Sequence, residues 1–277
     1  MAELLPRLAL LLQSPPLQKR LSDLRLLIER HQPFADAVLN IVGLEDRELR
    51  FDPCSVYAAE TAYLMVSDGP LMSLGRDAAA AVHRQLTSAA MKALPPGRGH
   101  RPKSVPYVML LDRSDAPPRW KEDGTPARPR DLANMDEVRA AVADALQESH
   151  WELRVLRAAR VPFLELTRQA AGADGLVGVH GAGLANALLM PPEGAVLELI
   201  PARSEINNMF NDSLSSQCGF TMFWYLAAMR GLRYYGVLLH NFAWEDVCVA
   251  PPRQVRAQVR RLVRESVAGR SRLRDEL

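Results

Sequence analysis

The feature that most constrains this chain is the run Val177-Gly178-Val179-His180-Gly181-Ala182-Gly183-Leu184-Ala185-Asn186, followed by Gly194-Ala195-Val196-Leu197-Glu198-Leu199-Ile200-Pro201. A short apolar run ends in His-Gly-Ala-Gly, a helix opens, Pro191-Pro192 stops it, and a second apolar run carries a single acid. That order predicts strand, glycine turn, helix and strand, with polar groups gathered at the carboxyl ends of the strands. Ligands of open α/β sheets bind at that edge.

The same alternation begins further upstream. Tyr107–Leu111 reads as a strand ending at Asp112-Arg113, and residues 114–130, with prolines among charges, read as an exposed loop. Asn134 with Glu137 three residues later resembles a capping box, opening a helix with Val138, Val142 and Leu146 on one face. Residues 153–156 form a second predicted strand, 162–171 a second helix and 176–179 a third strand. Strands alternating with helices imply a parallel sheet with right-handed crossovers.

The flanks read differently. Residues 3–31 are predicted mostly helical, broken near Pro15-Pro16, with Leu17, Leu21, Leu24 and Ile28 at helical spacing. An alanine-rich helix is expected over 76–94, and the stretch Pro95-Pro96-Gly97-Arg98-Gly99-His100-Arg101-Pro102 is a breaker that marks a domain boundary. Residues 253–267 form an amphipathic helix with Val255, Val259, Leu262 and Val263 on its apolar face. The chain therefore divides into residues 1–94, a ligand-binding domain at 105–250, and a C-terminal helix and tail at 251–277.

Several classes fall away on bulk properties. A net charge of +2 over 277 residues gives no electrostatic case for a nucleic-acid binder. No apolar run approaches the roughly 20 residues that span a bilayer. Leu8-Ala9-Leu10-Leu11-Leu12 is short for a secretory core and no cleavage site follows, so it reads as part of an amphipathic helix and no signal peptide is visible. Cys54, Cys218 and Cys248 match no metal-ligand spacing and read as buried thiols.

The glycine turn carries the chemistry. Gly181 and Gly183 permit a tight turn and remove side chains that would block a ligand. The helix after Ala182 would present unpaired amides and its positive dipole end, so a phosphate is the natural guest. His180 stands where it could donate to a phosphate oxygen, and Asn186 could contribute its side-chain amide. Glu198 is placed to accept from a ribose diol, as acids do in dinucleotide folds. Plainer readings stand beside these: a mere tight connection, a satisfied core histidine and a surface asparagine. Glu198 would be odd as core, because carboxylates are rarely buried without a partner.

His180-Gly181-Ala182-Gly183-Leu184-Ala185-Asn186, then Met190-Pro191-Pro192 and Val196-Leu197-Glu198-Leu199-Ile200-Pro201, resemble the signature of glycosyltransferase family 61. That family includes protein O-linked N-acetylglucosaminyltransferases of the endoplasmic reticulum and plant xylosyl- and arabinosyltransferases. Leu111-Asp112-Arg113 and Arg130-Asp131-Leu132-Ala133-Asn134-Met135-Asp136-Glu137 are similar to two further segments of the family, in the same order. The likeness covers about residues 38–240.

The resemblance implies an α/β protein of GT-B type, whose Rossmann-like C-terminal domain binds the donor beside a truncated N-terminal domain. It implies an inverting transferase moving a sugar, N-acetylglucosamine first and a pentose second, from a UDP-sugar to a hydroxyl of a protein or glycan acceptor. Arg113, His180, Gly181, Ala182, Gly183, Asn186 and Glu198 would form the donor site, with Arg130 and Asn134 as outer members. The chain has no Asp-x-Asp, so His180, Arg113 and the helix amides would stand in for a metal on the diphosphate. No resident cofactor is expected, and no residue presents itself as the catalytic base. Ala185 departs from the usual threonine, and the loop at 114–129 looks like an insertion.

Arg274-Asp275-Glu276-Leu277 is close to the Lys-Asp-Glu-Leu retention signal, which points to the endoplasmic reticulum lumen or the Golgi. Eight arginines between Arg253 and Arg274 read as the solvated face of a helix packed on its own domain. Two rivals remain. A hydrolase would pair His-Gly-Ala-Gly with a Gly-x-Ser-x-Gly pentapeptide, and none occurs. A non-catalytic nucleotide-sugar- or glycan-binding module would keep the donor site and lack turnover.

Overall fold

The computed structural model describes residues 14, 17, 19, 22–28, 36, 38–40, 44, 46, 48–50, 84, 87, 88, 105–115, 119–120, 126–127, 131–157, 161–201, 222–239 and 248–275. Arg130, Cys54, Cys218 and the terminal Glu276-Leu277 lie outside these residues. The chain forms two compact units, Met1–Gly99 and His100–Leu277. The division falls within the proline- and glycine-rich breaker, and the C-terminal helix belongs to the second unit.

In the first unit, strand β1 (Leu26–Ile28) pairs in parallel with β2 (Glu48–Arg50), with Leu26 opposite Glu48. This corrects the helix expected through Ile28. Leu24, Leu26, Leu27 and Ile28 crowd five positions with four apolar residues, a run that satisfies either period, and pairing with a second strand decides between them. Residues 36 and 38–40 are helical between the two strands, with Val38 and Leu39 fully buried.

The second unit is built on a five-stranded, all-parallel sheet. Its strands are β3 (Tyr107–Leu111), β6 (Glu152–Leu156), β7 (Gly175–Val179), β8 (Ala195–Pro201) and β9 (Arg233–Leu239). Two short strands, β4 (Arg119–Trp120) and β5 (Pro126–Ala127), form an antiparallel pair inside the stretch expected to be pure loop. The order across the large sheet is β6-β3-β7-β8-β9. The chain runs from β3 outward to β6, then returns past β3 to β7. That reversal is a topological switch point, and it opens a crevice beyond the carboxyl ends of β3 and β7. The fold is Rossmann-like.

The helices are α1 (Met135–Leu146), α2 (Phe163–Gly172), α3 (Met222–Arg230) and α4 (Pro252–Asp275), with a 3-10 helix at Ala182–Leu189. Alternate strand residues point to opposite faces. Val108, Leu110, Val177, Val179, Leu197, Leu199, Tyr235 and Val237 form one core with Val138 and Val142 of α1 and Val255, Val259, Leu262 and Val263 of α4. The apolar stripe read in the C-terminal helix is thus core, and Arg253, Arg256, Arg260, Arg261 and Arg264 are exposed. Met109, Leu176, Val196 and Glu198 face the other way, on the side covered by the 3-10 helix and α3.

Candidate functional site at the carboxyl edge of the sheet

Three positions at the strand ends set the geometry. After β3, Asp112 is buried, and its carboxylate accepts the Ser114 amide at 2.9 Å and Arg157 Nε at 2.9 Å. Burial pushes the Asp112 carboxyl up. The Ser114 hydrogen bonds and the Arg157 guanidinium outweigh that and hold it below the usual carboxylate value. Arg157 follows β6, so this pair ties together the carboxyl ends of β3 and β6.

Arg113 comes next and is half-buried, with its Nε sealed from solvent and without a partner among the described residues. Counting on from the Leu110–Val177 pair brings Arg113 level with His180 on the neighbouring strand end. Arg113 and His180 thus leave the carboxyl ends of two neighbouring strands, although they lie far apart in sequence.

Leu111 explains two of the glycines. A Cβ at Gly178 would stand 2.8 Å from Leu111 Cδ1, and one at Gly183 would stand 3.1 Å from the same atom. Carbon atoms in contact rest at about 3.5–4.0 Å, so Leu111 reaches its place only because both positions lack side chains. The glycine turn is thereby fitted to the end of β3 by packing.

His180 is 8% exposed and its backbone amide bonds to Leu199. Its Nδ1 meets Glu198 Oε1 at 2.5 Å, and its ring meets Phe223 of α3 edge-on, with centroids 5.2 Å apart. Glu198 is fully buried, and Tyr234 of β9 donates its hydroxyl to Oε2 at 2.6 Å. Glu198, the residue expected to meet a ribose diol, has His180 on one oxygen and Tyr234 on the other. Glu198 sits opposite Gly178 on β7 and Gly236 on β9. A Cβ at Gly178 would meet Leu111, and one at Gly236 would stand 3.0 Å from Ile200 Cδ1 and 3.9 Å from Tyr234 Cε1.

The segment after Gly181 is a 3-10 helix, a tighter element than the α-helix expected. Its first internal bond runs from the Leu184 amide to the Gly181 carbonyl at 2.9 Å, so the Ala182 and Gly183 amides precede the bonded ladder. Asn186 is 2% exposed, which sets aside its surface reading. It donates Nδ2 to the Gly183 carbonyl at 2.8 Å, while its Oδ1 is buried without a partner among the described residues.

Asn134 is put to another use. It occupies the N-cap position of α1 but makes no capping bond. Its Nδ2 donates to the Ala250 carbonyl at 2.8 Å and to Glu137 at 3.2 Å, and its Oδ1 accepts the Ala250 amide at 3.0 Å. The capping box is therefore a side-chain clamp on the segment leading into α4. The amide offers a donor and an acceptor together, as a backbone unit does, and that fit wins over the cap.

Sequence reasoning missed Asp112, Arg157, Phe223 and Tyr234. A signal for Tyr234 existed in principle: a lone acid in an apolar strand needs a partner, and a polar residue on the adjoining strand is the place to look.

The family model for glycosyltransferase 61 matches residues 1–197. No curated protein matches the chain.

Proposed function

This chain belongs to glycosyltransferase family 61, an enzyme of sugar transfer with a nucleotide-sugar donor, and on that premise we propose that the β3/β7 crevice is where it holds the donor diphosphate. Arg113 faces the diphosphate from the end of β3, the Ala182 and Gly183 amides meet it from the start of the 3-10 helix, and His180, at the end of β7, accepts from a hydroxyl of the sugar nucleotide. Asn186 Oδ1 accepts from the nucleotide or from a water bound with it. Glu198 stands behind His180, holding the ring, and does not touch the sugar nucleotide. We further propose a UDP-sugar donor, N-acetylglucosamine first, a hydroxyl of a protein or glycan as acceptor, and a GT-B arrangement.

The observation that carries this reading is that Arg113 Nε, after β3, and Asn186 Oδ1, in the 3-10 helix, are buried without a hydrogen-bond partner among the described residues, as are Asp115 Oδ2, Arg230 Nε and Arg233 Nε. Buried polar groups without partners are uncommon and call for an explanation such as a bound guest. A diphosphate offers Arg113 an acceptor in the geometry guanidinium groups favour.

The proposed reaction is an inverting displacement. The acceptor oxygen bonds to the anomeric carbon as the bond from that carbon to the diphosphate breaks. The acceptor proton passes to a base, and the nucleoside diphosphate leaves with the bonding electrons. Charge grows on the diphosphate as it departs, so fixed positive groups aimed at it lower the barrier. Arg113 and the Ala182 and Gly183 amides supply that field. The base is left unassigned.

A thermal-shift series of the wild-type chain and Arg113→Ala against uridine nucleotides and UDP-sugars tests the reading. A ligand at about 100 times its dissociation constant adds roughly 2.7 kcal/mol to the folded state. Stabilisation by UDP that is lost in Arg113→Ala is the expected result. Equal stabilisation of both proteins would move the diphosphate away from the crevice.

A further inference from the structure

Glu198 is an acid with no exposed surface, placed in the middle of a strand of a parallel sheet. Such a group costs stability unless both its oxygens are satisfied. Here they are satisfied asymmetrically, by the ring of His180 at 2.5 Å and the hydroxyl of Tyr234 at 2.6 Å. With the carboxylate accepting both bonds, the Tyr234 hydroxyl donates to Oε2 and His180 donates through Nδ1. The tautomer of His180 is therefore set by Glu198, and the orientation of Glu198 is set from β9.

We infer that Tyr234 is a positioning residue of the transfer site: acting through Glu198, it fixes the Nδ1–H form and the ring plane of His180. Three strands contribute one residue each. His180 leaves the end of β7, Glu198 crosses the middle of β8, and Tyr234 reaches in from β9. Phe223 meets the His180 ring edge-on from α3. With Nδ1 donating to Glu198, His180 meets the sugar nucleotide as an acceptor, through Nε2. Partners behind a functional histidine govern its tautomer and orientation in this way, and their loss typically costs about 10–100-fold. This inference rests on the assignment of His180 to the donor site made above.

The neighbouring tyrosine supplies the control. Tyr235 also donates its hydroxyl to a carboxylate at 2.6 Å, but to Glu265 of α4 on the opposite face. Tyr234→Phe and Tyr235→Phe thus remove equivalent hydrogen bonds one residue apart, and only the first lies behind His180.

Two readouts are taken on the full-length protein: calorimetric titration with UDP, and nitrogen-15 NMR of labelled histidine, which reports which ring nitrogen carries the proton. Tyr234→Phe is expected to weaken UDP binding about tenfold and to shift the His180 ring-nitrogen resonances toward mixed tautomers. Tyr235→Phe is expected to leave both unchanged. Glu198→Gln should shift the same resonances further than Tyr234→Phe does. Unchanged His180 resonances in Tyr234→Phe would overturn the inference whatever the titration shows. Absence of UDP binding by the wild type, with the resonances shifted as expected, would uphold the positioning of His180 and refute the donor assignment instead.

Discussion

Gly178→Ala tests the packing that builds the site. The added methyl would stand 2.8 Å from Leu111 Cδ1, 3.2 Å from its Cβ and 3.3 Å from its Cγ. The first distance is about 0.7 Å short of ordinary carbon contact. Leu111 has little freedom to move aside. It is 6% exposed and its backbone is held in register with Leu156, while Gly183 bounds the same methyl on the other side. Overpacking of a constrained core site costs about 1–3 kcal/mol, and the lack of an escape route argues for the middle of that range, about 2 kcal/mol. In a unit of this size that is about 4–8 °C of melting temperature.

Urea unfolding of wild type and variant measures the cost as a change of midpoint at constant slope. A double-mutant cycle with Leu111→Ala identifies the cause. Leu111→Ala alone costs about 2–5 kcal/mol through the cavity it leaves. The methyl introduced by Gly178→Ala would then find room, so the double variant should be more stable than the sum of its parts by about 1–2 kcal/mol. Since Leu111 precedes Asp112 and Arg113, Gly178→Ala should also weaken UDP binding, and Leu111→Ala should partly restore it. The reasoning fails if the two costs add within about 0.5 kcal/mol.

Further outcomes follow from the same contacts. Asn134→Ala removes both bonds to Ala250 and leaves the amide of a fully buried residue unsatisfied. It should cost about 2 kcal/mol in urea unfolding while UDP affinity stays at the wild-type value. The Asp112 carboxyl is held below its ordinary value in the folded state. Its contribution is therefore complete above the unfolded-state aspartate range, near pH ~4, and is lost as pH falls through the lower folded value. Asp112→Asn should lower stability at neutral pH and flatten its decline on the acid side, read from urea midpoints across pH. Removal of divalent metal with a chelator should leave stabilisation by UDP intact, and loss of that stabilisation would refute the assignment of the diphosphate to Arg113 and the helix amides.

What could be read from the sequence divides along a physical line. Strands β3, β7 and β8 were legible because a buried parallel strand is an unbroken apolar run between breakers, and α1 and α4 because their apolar residues recur at helical spacing. Met222–Arg230 gave no such signal. Its residues Phe223, Trp224, Tyr225, Leu226 and Ala227 are apolar on every side, so no stripe marks a helix. Strand β9 is interrupted by Gly236, which weakens a strand pattern when read alone. Within the sheet the same glycine lets Ile200 pack close, 3.0 Å from where a Cβ would stand.

The site followed the same rule. Arg113, His180 and Glu198 could be picked out because each breaks an apolar run at or near its end. The distinction between the residue that faces a ligand and the residue that stands behind it could not be read there. Glu198 and Tyr234 are 36 positions apart, and only the pairing of β8 with β9 brings their oxygens to 2.6 Å. A lone buried acid implies that a partner exists, but the partner's identity is a property of register. That is why the histidine was legible as chemistry while the tyrosine, which sets the histidine's proton, was legible only as sheet.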